Sequence, residues 1–366
     1  MIPEKSEFIY NNYHLEVANL KVNEIKEIVD KAYKTAQLSK DEIIFLLTKK
    51  YSSLNYLIEQ ADQKRQKIFS DKIHLRAIIE ISSICRQNCY YCGLRKDNTN
   101  LERYQLTPAL IINTALKAAD LGYKTVVLQS GEDQYPAEDI AAVIEEIKNK
   151  ADIAVTLSLG ERSFEDYLLW KNAGADRYLL KHETADRRLY KKYHPGMSFE
   201  NRINCLKYLK NIGYQIGSGV IVDLPGQTAK ILAADLLLCQ DLDLDMMGSG
   251  PFIPHNETPL KDKKAGSVEM TLKVTALSRL LMPEVHIPAT TALGTIDPEG
   301  RKKALKAGAN VVMPNVTDSI YRNKYQIYPE KICISEDAEE TCRRIEAVIK
   351  SMDRTIAKDK GDSLKI

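Results

Sequence analysis

The sequence lacks the features that would place it in a membrane, outside the cell or on nucleic acid. It has no run of about eighteen apolar residues and no basic segment followed by an apolar one at its start, so it predicts neither a membrane span nor secretion. Its 52 basic and 50 acidic residues leave a net charge of +2, and the two signs are interleaved. Neither a nucleic-acid footprint nor a basic partner surface is indicated. We expect a cytoplasmic protein without nucleic-acid or membrane partners.

Cysteine is sparse, and its count is odd. Seven cysteines in 366 residues, without a secretion signal, argue against a disulfide framework and favour reduced thiols or a metal site. Cys205 and Cys239 fall within helical patterns, where a free cysteine is usually a small buried hydrophobe. Only Cys85, Cys89 and Cys92 cluster, in the stretch ICRQNCYYCGLR.

From about residue 73, short apolar segments alternate with amphipathic ones, which is typical of βα units and a parallel sheet. Eight strands are predicted, at residues 73–81, 125–129, 153–158, 177–182, 215–222, 244–248, 286–291 and 310–314. Four predicted helices end at a glycine just before a strand, at Gly122, Gly174, Gly213 and Gly308, which favours left-handed C-caps. We expect an α/β fold with a complete (βα)8 TIM-type barrel, and an open doubly wound sheet is the main alternative.

The predicted barrel spans residues 73–320 as one domain, because no linker rich in Pro, Gly or Ser divides it. Residues 1–72 are predicted to be an N-terminal helical extension, in which Ser39 and Glu42 form a capping-box pattern before an apolar run. Residues 321–366 are predicted to be a short C-terminal closing segment.

Polar and acidic residues follow the predicted strands, where a parallel barrel carries its functional loops. The three-cysteine stretch follows the first strand, and later loops begin with SGED, LGER, HET, DLPGQT and SGPFIPHNETP. We expect these loops to meet at one face of the barrel and to form the site.

Three thiolates within eight residues favour a soft metal, with iron-sulfur, zinc and no metal as the alternatives. No nearby cysteine or histidine pair completes a structural zinc site. A four-iron cluster held by three cysteines keeps one iron open for another ligand. Clustered thiols without a metal would oxidise readily, which disfavours the last alternative.

The CxxxCxxC spacing, with Tyr91 before the last cysteine, resembles the cluster loop of the radical S-adenosylmethionine (SAM) superfamily. Over about residues 10–345, the strings CGLR, LQSGED, TLSLGE, HETA, SFENRINCL, LPGQT, GPFIPH and IPATTALGTI resemble the [FeFe]-hydrogenase maturase HydE family. Biotin synthase and methylornithine synthase are similar in architecture but match fewer strings. The resemblance implies one [4Fe-4S] cluster whose open iron binds SAM, and reductive cleavage of SAM to a 5′-deoxyadenosyl radical.

The resemblance also implies roles for individual residues. Cys85, Cys89 and Cys92 would be the catalytic, metal-binding ligands of the cluster. The residues that would bind SAM are Tyr91, Ser130, Gly131, Glu132, Asp133, Glu183 and Arg202. The residues that would line the substrate cavity are Gln129, Thr156, Ser158, Lys181, Met246, Thr290, Thr291, Met313 and Tyr328. Carboxylates suit the protonated amine of SAM, and an arginine suits its carboxylate.

Each of these residues also has a plainer interpretation. Residues 130–133 fit a turn and a helix cap, Arg202 fits a surface salt bridge, and the strand residues fit ordinary barrel core. Their position after successive strands, in register with the cysteines, favours the functional interpretation.

Two features depart from the HydE pattern. Lys181 stands where HydE proteins commonly have arginine, which removes a forked hydrogen-bond donor. Many HydE proteins carry three further cysteines for an auxiliary cluster, whereas this chain has Cys333 and Cys342, with Ile345 at the third position. We therefore expect no auxiliary cluster.

The implied substrate is a small sulfur-containing molecule, a cysteine-bound iron complex used in H-cluster assembly. The implied partners are an electron donor such as a ferredoxin or flavodoxin, and other hydrogenase maturases. Two further functions remain open: a HydE paralogue or methylornithine synthase-like enzyme acting on another amino-acid-like substrate, and a non-catalytic iron-sulfur carrier.

Overall fold

The computed structural model describes residues 23–50, 55–133, 135–329 and 338–365. An N-terminal helical layer comprises α1 (23–35), α2 (Lys40–Thr48) and α3 (Asn55–Phe69). The predicted capping box is confirmed at α2: the Ser39 hydroxyl accepts from the Glu42 amide, and the Glu42 carboxylate accepts from the Ser39 amide. Helix α3 packs against the later helix at Val268–Leu281, so the N-terminal layer covers part of the outer ring of helices.

Strands and helices then alternate along the chain. The strands are β1 (Lys72–Leu75), β2 (Ala77–Ser82), β3 (Thr125–Ser130), β4 (Ala154–Ser158), β5 (Arg177–Leu179), β6 (Gln215–Val222), β7 (Met246–Pro251), β8 (Pro288–Ala289), β9 (Val311–Val312) and β10 (Thr355–Ile356). The helices after α3 are α4 (Pro108–Asp120), α5 (Ala137–Lys150), α6 (Phe164–Asn172), α7 (Arg187–Tyr193), α8 (Phe199–Ile212), α9 (Ala229–Asp241), α10 (Val268–Leu281), α11 (Thr291–Ile296), α12 (Gly300–Lys306), α13 (Ser319–Arg322) and α14 (Ala338–Lys350). All eight predicted strands are found, and the first is interrupted at Arg76.

The strands form two parallel sheets and no continuous closed ladder among the described residues. The larger sheet runs β2-β3-β4-β5-β6-β7, and the smaller runs β10-β1-β9-β8. Isolated parallel bridges connect them, between Ile78 and Asn315 on one side and between Met246 and His286 on the other. The predicted α/β fold of parallel strands surrounded by helices is therefore confirmed. The predicted closure of these strands into one complete barrel is not.

Local chemistry explains where several elements end. Gly122, Gly174, Gly213 and Gly308 all have positive φ, between 89° and 106°, which confirms the predicted left-handed turns from helix into strand. The predicted strand at 286–291 shrinks to two residues because Pro288 has no amide hydrogen for the ladder and the Thr290 hydroxyl caps α11. Apolar strand and helix residues fill one large core between the sheets and the helices.

The C-terminal residues cover the face of the sheets where the strands begin, here called the amino face. β10 pairs in parallel with the first residues of β1. Arg177, fully buried at the start of β5, donates to the carboxylate of Asp362 at 2.5 Å. The His74 ring lies 2.7 Å from the carboxylate of Asp359. These polar contacts close the amino face, so the loops at the opposite, carboxyl face are where a site can open.

Among the described residues, no helix combines the length and the apolar character needed to cross a bilayer.

Candidate active site

The three clustered cysteines lie on a loop, residues 84–97, that follows β2 at the carboxyl face; we call it the cluster loop. Cys85, Cys89 and Cys92 are half-buried and form no disulfides. Burial raises the pKa of all three thiols, that of Cys92 to about 12. After burial, the other two thiols contribute most to the raised pKa of Cys89, so the three sulfurs lie close enough to interact. Metal ligation would displace their protons.

The shape of the cluster loop is set largely by Arg103. Its guanidinium donates to four backbone carbonyl groups of the loop and its flanks, with distances between 2.6 and 3.1 Å. The four carbonyls belong to Ser83, Leu94, Arg95 and Asn98. A planar fork that binds four acceptors fixes the loop more rigidly than an ammonium group could.

The SGED segment at the end of β3 packs directly on the cluster loop. A side chain at Gly131 would collide with the Ile84 carbonyl oxygen and would lie 2.9 Å from Cβ of Cys85. Glu132 is buried, and its carboxylate accepts from Arg86 at 3.2 Å, from Gln87, and from the amide of Glu161 at 3.0 Å. Glu132 therefore bridges the cluster loop and the loop after β4.

The other two polar residues of SGED have local partners. The Asp133 carboxylate accepts from the Tyr135 amide at 3.2 Å, and burial raises its pKa. The Ser130 hydroxyl donates to the Gly131 carbonyl. These bonds shape the segment as a turn while Glu132 stays directed toward the cluster loop.

A buried ion pair lies beside Glu132. Nε of Arg202 is 2.7 Å from the Glu161 carboxylate, and both side chains are about nine-tenths buried, at 10% and 11% exposure. The side-chain amide of Asn201 donates to the same carboxylate at 2.6 Å. Arg202 is therefore no surface salt-bridge residue. Because its charge and that of Glu132 both act on the Cys89 thiol, the pair lies near the cysteines.

Glu183, in the segment that follows β5, has a left-handed backbone conformation, with φ of +65°. Its amide donates to the Gly219 carbonyl at 2.9 Å, which holds the strained residue in place. Its carboxylate lies 2.9 Å from the ammonium group of Lys181. Among the charges acting on Tyr91 and Cys92 is that of Glu183, so this carboxylate also faces the cluster loop.

Tyr91 connects the cluster loop to the end of α7. Its hydroxyl lies 2.7 Å from Nε2 of His194, and the Tyr90 amide donates to the Tyr193 carbonyl at 3.0 Å. Burial raises the pKa of Tyr91 well above its usual value. Of the two tyrosines between Cys89 and Cys92, Tyr91 is thus held through its side chain and Tyr90 through its backbone.

The predicted substrate residues fall into two groups. Thr156, Met246 and Met313 line a small interior cavity together with Arg76 and His286. The remaining positions are half-buried and lie nearer the carboxyl face: Gln129, Ser158, Lys181, Thr290, Thr291 and Tyr328.

Two residues of the second group make contacts that sequence reasoning did not anticipate. The Thr291 hydroxyl accepts from Arg301 at 3.0 Å, and Gln129 donates to the Tyr325 hydroxyl at 3.3 Å. These bonds orient both side chains through neighbours on α12 and on the segment after α13.

The arrangement fits a four-iron cluster with a bound cosubstrate. The described side chains form no group of three His, Cys, Asp or Glu placed around one metal ion. That finding concerns mononuclear sites, whereas in a four-iron cluster each thiolate binds its own iron atom. Gly131 allows close packing against Cys85, and a side chain at Gly160 would likewise collide with Glu132. Three thiols, the carboxylates of Glu132, Glu161 and Glu183 and the guanidinium of Arg202 thus come together at the carboxyl face.

Comparisons with known proteins show the family to which the chain belongs. The Radical SAM superfamily model matches residues 79–238. The [FeFe] hydrogenase maturase subunit HydE of Thermotoga maritima is 55% identical over 281 residues, which cover 76% of this chain and 80% of that protein. The chain is a radical SAM protein of the HydE family.

More distant relatives match this chain over most of its length. The 3-methylornithine synthase of Methanosarcina acetivorans is 28% identical over 92% of this chain and 95% of its own. The crystal structure of methylornithine synthase (PylB) superposes with a TM-score of 0.79 at 26% identity, covering 90% of this chain and 97% of that one. The structure of HydG, at 20% identity, superposes with a TM-score of 0.80 over 92% of this chain and 76% of that one, and supports the fold alone.

The residues where this chain departs from the HydE pattern are also placed. Cys342 lies half-buried on α14 beside Tyr123, and Ile345 is a buried core residue. Cys333 lies outside the described residues. Cys205 and Cys239 are buried, as their helical patterns predict.

Sequence reasoning missed three residues of the site: Arg103, Glu161 and His194. Glu161 had a signal, because LGER follows β4 in register with SGED after β3. No sequence signal marked Arg103 or His194, because both residues contact the cluster loop from positions that do not follow a strand.

Proposed function

We propose that this protein is a HydE-type radical SAM maturase. It would cleave SAM reductively and direct the resulting radical at a small sulfur-containing substrate, a cysteine-bound iron complex, during assembly of the [FeFe]-hydrogenase H-cluster. The observation that carries the proposal is the convergence of the three-cysteine loop with Glu132 and with the buried pair Glu161–Arg202, in a chain of the HydE family.

The chain's own residues would divide the work as follows. Cys85, Cys89 and Cys92 would hold a [4Fe-4S] cluster, which when bound supplies the electron that cleaves SAM. Glu132 and Glu183 offer carboxylates for the SAM amino and ribose groups. Tyr91 would place the loop backbone against the adenine.

Arg202 presents the cation that would bind the SAM carboxylate. Burial opposes its charge, but Tyr190, Glu161 and Glu132 together raise its pKa, so it stays protonated. Glu161 keeps the guanidinium aimed at the pocket before SAM arrives, and this preorganisation lowers the cost of binding.

We infer that the two sheets together form a complete eight-stranded barrel around the substrate. The isolated bridges at Ile78–Asn315 and Met246–His286 join the edges of the sheets and support this inference. The substrate would lie inside, between the carboxyl-face residues such as Lys181 and the interior residues such as Thr156 and Met313.

The first experiment is anaerobic reconstitution with iron and sulfide, followed by dithionite and SAM. We expect a four-iron cluster signal by electron paramagnetic resonance (EPR) that SAM perturbs, and formation of 5′-deoxyadenosine. Cys89→Ala should bind no cluster, whereas Cys342→Ala, the matched control, should keep both the cluster and SAM cleavage. Absence of the signal, or a signal indifferent to SAM, would rule out the proposal. Iron content should also show one cluster and no auxiliary cluster per chain.

A second candidate is a methylornithine synthase-like reaction on an amino-acid substrate. The similarity to methylornithine synthase along nearly its whole length, together with the lysine at position 181, favours this reaction over a non-catalytic role. Incubating the reduced holoenzyme with SAM and either a cysteine–iron complex or lysine separates it from the maturase reaction. The substrate that increases 5′-deoxyadenosine formation and is itself changed identifies the reaction.

A non-catalytic iron-sulfur carrier is the third candidate. A carrier needs ligands for a cluster, but it has no use for a buried carboxylate–guanidinium pair beside the open position. Tight SAM binding by the reconstituted protein would exclude it. As a HydE-type enzyme, the protein would act in the cytoplasm with an electron donor such as a ferredoxin or flavodoxin, and with other hydrogenase maturases.

A further inference from the structure

The outer surface of the cluster loop is basic, although the protein as a whole is nearly neutral. The cluster loop (84–97) and α7 with its flanks (186–194) together contain seven Lys and Arg and two Asp, a net charge of +5. The rest of the chain has 45 cations against 48 carboxylates, a net charge of −3. The charge is therefore concentrated in two segments about a hundred residues apart.

The structure brings these two segments into contact. The guanidinium of Arg95 lies 5.9 Å from the ring centre of Tyr90, whose amide donates to the carbonyl of Tyr193. The ammonium group of Lys192 lies 5.2 Å from the ring centre of Tyr193. Cations of the loop and of α7 thus flank one pair of joined tyrosines. We call the exposed residues Arg86, Lys96, Arg188, Lys191 and Lys192, with half-buried Arg95, the basic face.

Most of the basic face is free to act on a partner. Arg188 is 94% exposed, and its one ion pair, with Asp186, is long at 3.9 Å. Lys96, Lys191 and Lys192 are exposed and make no ion pair with the described part of the chain. Arg86 is less available, since it pairs with Glu132 at 3.2 Å. The available charges therefore lie mainly at Lys96 and along α7.

A cluster held by this loop must receive an electron from outside. Electron transfer through protein weakens steeply with distance, so a donor has to dock where the loop reaches the surface. Ile84, beside the ligand Cys85, is 40% exposed and offers an apolar contact there. Charged rims that steer a partner around a small apolar contact suit transient redox complexes.

We infer that the basic face is the docking surface for an acidic one-electron carrier protein that reduces the cluster. The inference rests on the proposed function and names the partner surface of that site. In the step it describes, the reduced carrier loses one electron and the cluster of this enzyme gains it, with no other reactant. Charge attraction would set the association rate, and added salt would weaken this attraction by screening the charges.

The test uses reconstituted full-length enzyme and a pre-reduced acidic ferredoxin, freed of reductant, in a stopped-flow instrument. Lys191→Gln/Lys192→Gln should lower the second-order rate of cluster reduction about tenfold at low ionic strength. The matched control, Lys34→Gln/Lys67→Gln on the N-terminal helices, removes the same charge and should stay within about twofold of the parent. At high salt the three proteins should converge.

An unchanged rate for Lys191→Gln/Lys192→Gln, or an equal fall in the control, would overturn the inference. The inference would also be overturned if Lys191 and Lys192 were needed for the enzyme to bind an oligonucleotide but not for its reduction by the ferredoxin. Dithionite separates this failure from failure of the proposed function. If dithionite and SAM yield 5′-deoxyadenosine in every variant, only the docking surface is wrong; if they yield none in the parent, the proposed function is wrong.

Discussion

Tyr91 donates its hydroxyl to Nε2 of His194 at 2.7 Å, and this bond ties the cluster loop to the end of α7. The direction is fixed because Nδ1 of His194 lies 2.9 Å from the Tyr190 carbonyl and must carry the ring proton. Burial lowers the pKa of His194 to about 3, so the ring stays neutral and Nε2 stays an acceptor. One buried imidazole thus orients the tyrosine that lies between Cys89 and Cys92.

Removing either partner should leave the other unsatisfied. Tyr91→Phe and His194→Phe should each lower the free energy of unfolding by about 1–3 kcal/mol, and the double variant should lose about 1 kcal/mol less than their sum. Urea titration of the apoprotein measures the cycle. Tyr104→Phe, which removes a hydroxyl that donates to the Glu80 carbonyl, should be additive with His194→Phe. If the losses in free energy of unfolding for Tyr91→Phe and His194→Phe simply add in the double variant, the hydrogen bond between the two side chains contributes nothing to stability.

Gly131 permits the close approach of the SGED segment to the cluster loop. In Gly131→Ala, the added methyl group should push the Ile84 carbonyl and Cys85 away from the SGED segment. The variant should therefore lose about 1–3 kcal/mol of stability and bind less iron on reconstitution. Gly122→Ala is the control: φ is +89° there, but no atom lies within 4 Å of the added carbon. It should cost about 1 kcal/mol through backbone strain alone, with full iron content. Equal iron content in the two variants would contradict this role of Gly131.

Arg103 should control how long the cluster is retained. Arg103→Lys keeps the charge but cannot reach four carbonyl groups, so the variant should lose about 2 kcal/mol of stability and release iron faster to a chelator. Arg95→Lys changes a guanidinium whose ion pair with Asp97 is partly exposed and 3.3 Å long. It should release iron at the parental rate. If the parent, Arg103→Lys and Arg95→Lys all released iron at the same rate, cluster retention would not depend on the Arg103 guanidinium.

Asp235 should make stability depend on pH. The fully buried carboxyl accepts from the Ala185 amide at 2.5 Å and from the Gln227 side chain at 3.1 Å, and burial raises its pKa to about 7 from 3.8. The folded state therefore binds this proton more tightly than the unfolded state. Its contribution to stability is complete below about pH 4 and is lost as pH rises through about 7.

The variant Asp235→Asn cannot titrate. Measured against the parent, its free energy of unfolding should rise by something on the order of 4 kcal/mol between about pH 4 and 7. A constant cost is also expected, since the new amide faces the Gln227 amide. Urea titrations at several pH values separate the two effects, because the constant cost shifts the difference curve and the titration gives it a slope. A flat difference curve would show that Asp235 stays ionised.

Local patterns predicted most of the fold. Helix-ending glycines such as Gly213 and the capping box at Ser39 depend on neighbours a few residues away, so the sequence contains their whole cause. Strand lengths were harder. The predicted strand at 177–182 ends at Leu179, and Glu183 beyond it turns to positive φ, a conformation that depends on a bond to the Gly219 carbonyl.

The candidate site was predictable where its residues follow strands, and much less so elsewhere. SGED and HET were found because parallel strands place such loops together. The contribution of Arg103 depends on its reach to four carbonyls, and that of His194 on a contact between segments 103 residues apart. The basic face was not predicted for the same reason. Each of its two segments carries only a few cations, and the concentration of charge arises because the fold brings the segments together.

The pairing of β1 with β10 has a consequence for how the protein is made. Lys72 aligns with Thr355, and buried Arg177 donates to Asp362, so these contacts join residues that are far apart in the sequence. During synthesis, residues 355–362 are still in the ribosome when the central strands have emerged. We expect the amino face to stay open until these residues have emerged as well. Contacts of such long sequence separation are slow to form and expose strand edges meanwhile.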